Sequence, residues 1–412
     1  MKKTACWLLI LSMLLLLALP AGAAEKTPAF ADAGDIRNGY AVRMLVDLGL
    51  IVGDNDGNFR PSAPITRAET AKLIACLCTD TFAQAGGAPF ADTAESWARD
   101  YIAYCASRGI VGGSGGYFRP QDDVTAQELA KMLLVVTGSD GARYTGAGWS
   151  ERVNADAEKY GLYHAFSGRY DLPVTRDDAC LLIYNAMQRP AVDGENADGT
   201  PRYVLDALMN KRTYLEVRFD AVRYTAVLTG NEYADLTQAG GKLAAGTTKL
   251  EGHKEFSVSS GLWLVGHSVD LYLRDGEVIG APAPSVQERV LTVFDHEKLE
   301  RICAGNGVTL TPETRYYRNY SETDASVLDS LDAEDVVIVL DRNGNGWADA
   351  VLVLDCYADV AEHASPLTLA GGGSAARLRG SSPVAARGAL ATKPAHLLRS
   401  AGTARPCGLG QK

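Results

Sequence analysis

The chain has 412 residues, 47% apolar and 22% charged, with a formal net charge of −10. That length and balance fit a multidomain globular protein with sizeable cores. Setting aside Lys2, Lys3 and the seven cations of residues 363–412 leaves −19 for residues 24–362, which argues against nucleic acid and anionic membrane as partners.

Residues 1–24 read as a secretory signal. Lys2 and Lys3 form a basic start, Leu8 to Leu19 an apolar run too short to span a bilayer comfortably, and Ala21-Gly22-Ala23-Ala24 a cleavage site. Cys6 precedes the apolar run, so it is no lipid attachment site. The mature chain is expected to be exported, with no membrane contact after cleavage. Cys76, Cys78, Cys105, Cys180, Cys303, Cys356 and Cys407 remain. Their odd count and irregular spacing suit small buried apolar residues better than a disulfide framework or a zinc site.

Residues 25–190 are repetitive. Phe59-Arg60-Pro61 returns as Phe118-Arg119-Pro120, and Ile65-Thr66-Arg67-Ala68-Glu69 as Val124-Thr125-Ala126-Gln127-Glu128. Phe30-Ala31-Asp32 returns as Phe90-Ala91-Asp92, and Gly49-Leu50-Ile51-Val52-Gly53 as Gly109-Ile110-Val111-Gly112-Gly113. A degenerate third copy holds Gly161-Leu162 and Val174-Thr175-Arg176-Asp177-Asp178. Such self-similarity means stacked units that share a core. Each unit reads as an amphipathic helix ending at a Gly, a polar turn, and a second helix. Pro61 and Pro64 hold off the second helix of the first copy. Thr66 caps it, with Glu69 completing a capping box. Arg67 lies in its first turn, where a cation beside free N–H groups makes a site for an anion. A solvated Arg beside an ordinary cap is the alternative.

The motif set Phe-x-Asp, Trp-Ala, Gly-Ile-Val-x-Gly, Phe-Arg-Pro and Thr-Arg-Ala-Glu resembles the S-layer homology (SLH) domain, three tandem copies of which are that family's usual arrangement. The resemblance covers roughly residues 28–190. It implies a pseudo-threefold helical bundle that binds secondary cell-wall polysaccharide, often pyruvylated, in grooves between repeats. The Arg of the capping stretch is a key contact in that family, and a guanidinium suits a carboxylate. By resemblance the glycan-binding residues are Arg67 first and Arg176 second, with Glu69, Asp32, Asp92, Trp97 and Trp149 around them. Core packing is the alternative for each Trp, and helix capping for each Asp. The reading puts Gln127 in the Arg position of the second copy, so that groove loses charge. The third copy lacks Phe-Arg-Pro.

The domains expected are repeats over 25–84, 85–140 and 141–190, a polar linker over 191–201, and a β-rich region over 202–362. In that region Tyr203–Lys211 reads as a short helix. Tyr214–Phe219, Tyr224–Leu228, Leu262–Val265, Val269–Leu273, Val290–Val293 and Val336–Leu340 read as strands. Asp275-Gly276 is a hairpin turn. Asp341, Asn343, Asn345 and Asp349 stand at positions 1, 3, 5 and 9 of a loop with Gly346 at position 6. This spacing suits Ca²⁺, although Leu352 stands where an acidic residue is needed, and a plain hairpin loop is the alternative. No other cofactor is expected. Residues 363–412 have no Asp or Glu and read as a disordered tail or a misjoined reading frame.

Gly112-Gly113-Ser114-Gly115-Gly116 matches a nucleophile elbow formally, but follows a helix end instead of a strand. The expectation is therefore a multidomain α + β protein: an N-terminal all-α bundle, one or two small mainly-β modules, and a disordered tail. It is a non-enzymatic protein of the cell wall and surface that binds wall polysaccharide. The alternatives are an anchored enzyme acting through residues 202–362 and a self-assembling S-layer subunit.

Overall fold

The computed structural model describes residues 30–81, 88–198, 200–252, 255–294, 298–332, 335–355, 361–364 and 367–369. The signal reading over 1–24, Cys6, Cys356, Cys407 and the tail beyond residue 369 lie outside the described residues. The fold is mixed α + β, with helices in the N-terminal part and sheets after them.

Three helix pairs form the N-terminal part: α1 (Gly39–Asp47) with α2 (Arg67–Cys78), α3 (Arg99–Ser107) with α4 (Ala126–Val136), and α5 (Trp149–Lys159) with α6 (Arg176–Met187). Each first helix ends two residues before a glycine at positive φ, Gly49, Gly109 or Gly161. Each second helix is capped by a Thr: Thr66 and Thr125 form full capping boxes with Glu69 and Glu128, and Thr175 accepts from the Asp178 N–H.

The residues before these caps tie the units into a ring. Ile65 N–H donates to Val174 O, Val174 N–H to Val124 O, and Val124 N–H to Ile65 O. The next bonds repeat the pattern. Arg67 and Ala68 donate to Asp122 O and Pro120 O, Ala126 and Gln127 to Leu172 O and Tyr170 O, Arg176 and Asp177 to Ala63 O and Pro61 O. This register corrects one expectation. Ala126, not Gln127, is the counterpart of Arg67 and Arg176, while Gln127 matches Ala68 and Asp177. It also sets Gly168 opposite Phe59 and Phe118.

The expected linker contains a strand. β1 (Val192–Glu195) pairs antiparallel with β2 (Pro201–Tyr203). The expected helix over Tyr203–Lys211 is absent, because Asp206 accepts the N–H groups of Leu208 and Asn210 and folds a turn instead. Tyr214–Phe219, expected as a strand, is helix α7 (Tyr214–Arg218), started by a Thr213–Glu216 capping box. Leu262–Val265 is a 3₁₀ turn over Leu262–Leu264.

One five-stranded sheet has the order β5 (Glu255–Phe256), β4 (Thr248–Leu250), β3 (Val222–Asn231), β6 (Ser268–Arg274), β7 (Glu277–Pro284). The second has the order β10 (Ser321–Thr323), β9 (Arg315–Arg318), β12 (Ala350–Leu354), β11 (Val336–Asp341), β8 (Arg289–Val293), with β12 and β9 parallel. Asp275-Gly276 turns β6 into β7 as expected. Val336, Ile338 and Leu340 of β11 face a core shared with Leu228, Val269 and Leu271 of the first sheet. Val337 and Val339 face the opposite way, toward Leu299 and Cys303 of helix α8 (Leu299–Gly305). Strands buried on both faces read as continuous apolar runs.

The first sheet also packs on the bundle. Tyr272, Ile279 and Ala283 join the bundle core. Gly280 has φ +71, and a Cβ there would meet the Met44 side chain at 2.6 Å. Its N–H donates to Asp47 at the end of α1. Ala361–Ala364 and Leu367–Leu369 pair as two short strands where the disordered tail was expected to begin.

Candidate functional site

Two of the three junctions between helix pairs hold an arginine. Arg67, at the start of α2, reaches into the second pair. Its Nε donates to Phe118 O (2.8 Å) and its Nη2 to Gly112 O (2.9 Å). The guanidinium lies 4.5 Å from the centre of the Phe118 ring, with Nη1 3.6 Å from Glu128 Oε1. Arg176 repeats this against the first pair. Its Nε donates to Phe59 O (2.9 Å), its Nη1 to Glu69 Oε1 (2.9 Å), and its guanidinium stands 5.4 Å from the Phe59 ring. The Arg67 side chain is 10% exposed and that of Arg176 16%. Both lie in the clefts between units, mostly covered. Burial pulls the Arg67 guanidinium below its ordinary pKa, against the pull of Glu128.

The capping glutamates do double duty. Glu69 accepts from the N–H and hydroxyl of Thr66 through Oε2 while Oε1 takes Arg176. The cap of one unit thereby fixes the arginine of the next.

Asp32 and Asp92 act from 26 to 28 residues away. Asp32 accepts the N–H groups of Phe59 and Arg60, and Asp92 those of Phe118 and Arg119. Arg60 and Arg119 have φ of 56° and 60°, a left-handed conformation that these carboxylates brace. Burial pushes both carboxyls up, but the donated N–H groups outweigh it and hold them below the ordinary value. Asp32 makes no side-chain cap to the helical turn that follows it.

Trp97 is 58% exposed, so core packing does not account for it. Trp149 is half-buried, with Lys131 Nζ 5.7 Å from its ring. Lys131 was missed in the sequence, although Lys72 stands 59 residues before it, in the same place on α2. Burial lowers the Lys131 pKa; Glu128 opposes this and Arg67 adds to it, which puts the two cations and the carboxylate in one electrostatic cluster.

The third junction differs. Ala126 is fully buried, and Gln127 Oε1 accepts from Asn154 Nδ2 (3.3 Å). At the same unit's far end Arg37 pairs with Asp177 and Asp178.

The loop expected to suit calcium joins β11 to β12. Asp341, fully buried, accepts the N–H groups of Asn345 and Gly346. Asn343 accepts from Asn345 N–H, Asn345 from Trp347 N–H, and Asp349 from Arg342 N–H. These are the bonds of an Asx-rich hairpin turn, and a cation would compete with those N–H groups for the same oxygens. A depression of about 310 Å³ opens between the two sheets, among Lys249, Glu251, Arg315, Tyr317, Glu322 and Arg342.

With this geometry in place, comparison with known proteins is informative. The S-layer homology domain matches residues 29–71 and 89–130, each taking in the first helix of a pair and the start of the second. Over 321 residues the chain is 27% identical to the Surface-layer 125 kDa protein of Lysinibacillus sphaericus, covering 68% of this chain and 27% of that one. It is 28% identical over 134 residues to S-layer protein sap of Bacillus anthracis, 32% of this chain and 16% of the relative. A third relative is Exoglucanase XynX of Acetivibrio thermocellus, 25% identical over 193 residues, 43% of this chain and 18% of the relative. The matched stretches span about a quarter or less of these relatives. The chain thus carries S-layer homology sequence in two segments, and these matches indicate a secreted, cell-surface protein. Among the described residues, no helix is long and apolar enough to cross a membrane.

Proposed function

We propose that the helical part anchors the protein non-covalently to the Gram-positive wall by binding anionic secondary cell-wall polysaccharide, and that its third helix pair is a diverged copy of the first two. The observation that carries this reading is the repeated junction in which Arg67 or Arg176 stands at a helix N-terminus beside an opposing glutamate. An acidic sugar substituent, such as a pyruvyl carboxylate, would compete with that glutamate for the outer edge of the guanidinium. Lys131 beside Trp149, and their repeat counterparts Lys72 and Trp97, would supply a second cation and an aromatic wall. The net negative charge of the chain makes such local cations necessary for an acidic ligand. The role is binding, without catalysis.

The test is retention of the full chain on purified cell walls, with the acidic polymer intact or stripped. Retention should fall about tenfold or more on stripping, and likewise in an Arg67→Ala, Arg176→Ala double variant. Because those side chains also clamp the units, Lys131→Ala and Trp97→Ala are the companion variants, each expected to weaken retention severalfold without unfolding. Unchanged binding in a folded double variant would overturn the contacts. The second reading, a wall-anchored enzyme, is favoured by the inter-sheet depression where Glu251 and Glu322 meet three cations. Wall hydrolysis by the full chain that Glu251→Gln abolishes would support it.

A further inference from the structure

We propose that the junction between the second and third helix pairs is a distinct subsite for an uncharged pyranose ring, building on the reading that these junctions hold wall glycan. At the other two junctions a guanidinium covers a phenylalanine ring. Here Ala126 stands in the arginine position and Gly168 in the phenylalanine position, where the Phe166 ring takes the place beside it: a Cβ at Gly168 would meet that ring at 2.6 Å. A depression of about 330 Å³ opens at this junction, lined by Gln127, Asn154, Gly168, Arg169, Tyr170 and Asp171. The depression is shallow and open to solvent, with room for about one sugar ring.

Its floor is a fixed aromatic platform. Tyr170 lies parallel to Tyr163, with ring centres 4.1 Å apart and 6° between planes. The Tyr170 hydroxyl is tied to Glu158, and the Tyr163 hydroxyl to Asn154 Oδ1 (2.9 Å). Tethered at hydroxyl and stack, the ring is held flat. The negative face of such a ring favours the C–H face of a sugar.

The rim is built for neutral polar groups. Asn154 and Gln127 present paired amides, and the Gln127 amide nitrogen makes no hydrogen bond among the described residues. Amides donate and accept, as hydroxyl and acetamido groups require. The single cation of the rim, Arg169, is already bonded to Asp171 through two nitrogens (3.0 and 2.6 Å). With Glu158 behind the platform, the surroundings do not favour an acidic substituent. A wall polymer that alternates acidic and neutral sugars would be read by two arginine junctions and one amide–aromatic junction.

The experiment titrates the full chain with two neutral probes, tri-N-acetylchitotriose and maltotriose, alongside the wall-retention assay. At least one probe should bind. Tyr170→Ala should weaken that binding about tenfold, and Gln127→Leu severalfold, while Tyr170→Phe, which keeps the stack, should retain most of it. The proposal is overturned if neither probe binds, or if Tyr170→Ala and Gln127→Leu have no effect. Wall retention that persists beside failed probes would sink the subsite and spare the anchoring reading. Lost retention beside Tyr170-dependent probe binding would do the reverse.

Discussion

The three junctions of the bundle share one backbone register and two solutions for what fills it. Where an arginine is present, its guanidinium closes the junction by bonding a carbonyl of the neighbouring pair and covering a phenylalanine ring. Where Ala126 replaces it, Gly168 replaces the phenylalanine, and a stack of Tyr163, Phe166 and Tyr170 occupies the neighbourhood. The difference teaches that the arginine and phenylalanine form one unit of construction, kept or lost as a pair. It also separates two roles that the capping motif confounds. The ring of backbone bonds through Ile65, Val124 and Val174 holds the units together at all three junctions. The guanidinium is needed at only two.

The largest effect that sharpens this comparison is expected at the rings. Phe59 and Phe118 are fully buried, and either truncated to Ala should cost about 3–5 kcal/mol. Phe166 is half-buried, so Phe166→Ala should cost roughly half as much or less. Urea midpoints would measure both, and equal losses would erase the distinction between junctions. Next come the arginines. Arg176→Ala or Arg67→Ala leaves a carbonyl of the neighbouring unit without its donor, a penalty of about 1–3 kcal/mol each. Arg67 should cost more, because it leaves two carbonyls, those of Phe118 and Gly112, without a donor, whereas Arg176 leaves that of Phe59 and a half-exposed Glu69. Lys should not rescue either, since one ammonium cannot reproduce the planar fork. Lys131→Ala, in contrast, should move stability by under about 0.5 kcal/mol.

Much of the bundle could be read from residues alone, because the anchors recur with nearly constant spacing and each Thr cap announces a helix. The register within the cap is legible as well: Val124-Thr125-Ala126-Gln127-Glu128 laid on Ile65-Thr66-Arg67-Ala68-Glu69 puts Ala126 on Arg67, the inter-unit bonds agree, and placing Gln127 there is a misalignment by one residue. The same capping signature opens Thr213-Tyr214-Leu215-Glu216, yet outside the repeat it was outweighed by the aromatic and β-branched residues of Tyr214, Val217 and Phe219. Strand preference depends on context, and here the cap prevails. Nor does the sequence say what covers the second face of β6. Leu271 faces the other sheet and Tyr272 the helices, an alternation that marks two faces without naming their partners. Trp97 is legible in the repeat, whereas Lys131 does not stand out although Lys72 lies one period before it, because a lone Lys on a helix ordinarily marks a solvated face.

The smallest effect expected is on pH, and it again separates the junctions. Asp32 and Asp92 have carboxyls held below the ordinary value by N–H groups of the Phe-Arg turns, after burial has pushed the other way. A depressed folded pKa adds stability that is full above the unfolded value and is lost as pH falls through the folded one. That loss should begin only once pH falls below the ordinary aspartate range, about pH 4. Asp177, at the Arg176 junction, has the opposite sign. Its burial raises the pKa, against the bonds it accepts from Asn38 and Arg37. Ionising it therefore costs stability at neutral pH, and the cost is relieved as pH falls through its folded value, before the aspartates of the turns begin to protonate. Melting temperature should accordingly rise slightly and then fall on acidification, by about a degree in each direction. Asp92→Asn should flatten the fall, because the amide keeps one acceptor without the charge. Asp177→Asn should shrink the rise, to which buried Asp270, its pKa also raised by burial, contributes. A monotonic profile in the wild type, or a fall that Asp92→Asn leaves unchanged, would mean that the carboxylates bracing the Phe-Arg turns do not govern the acid limb.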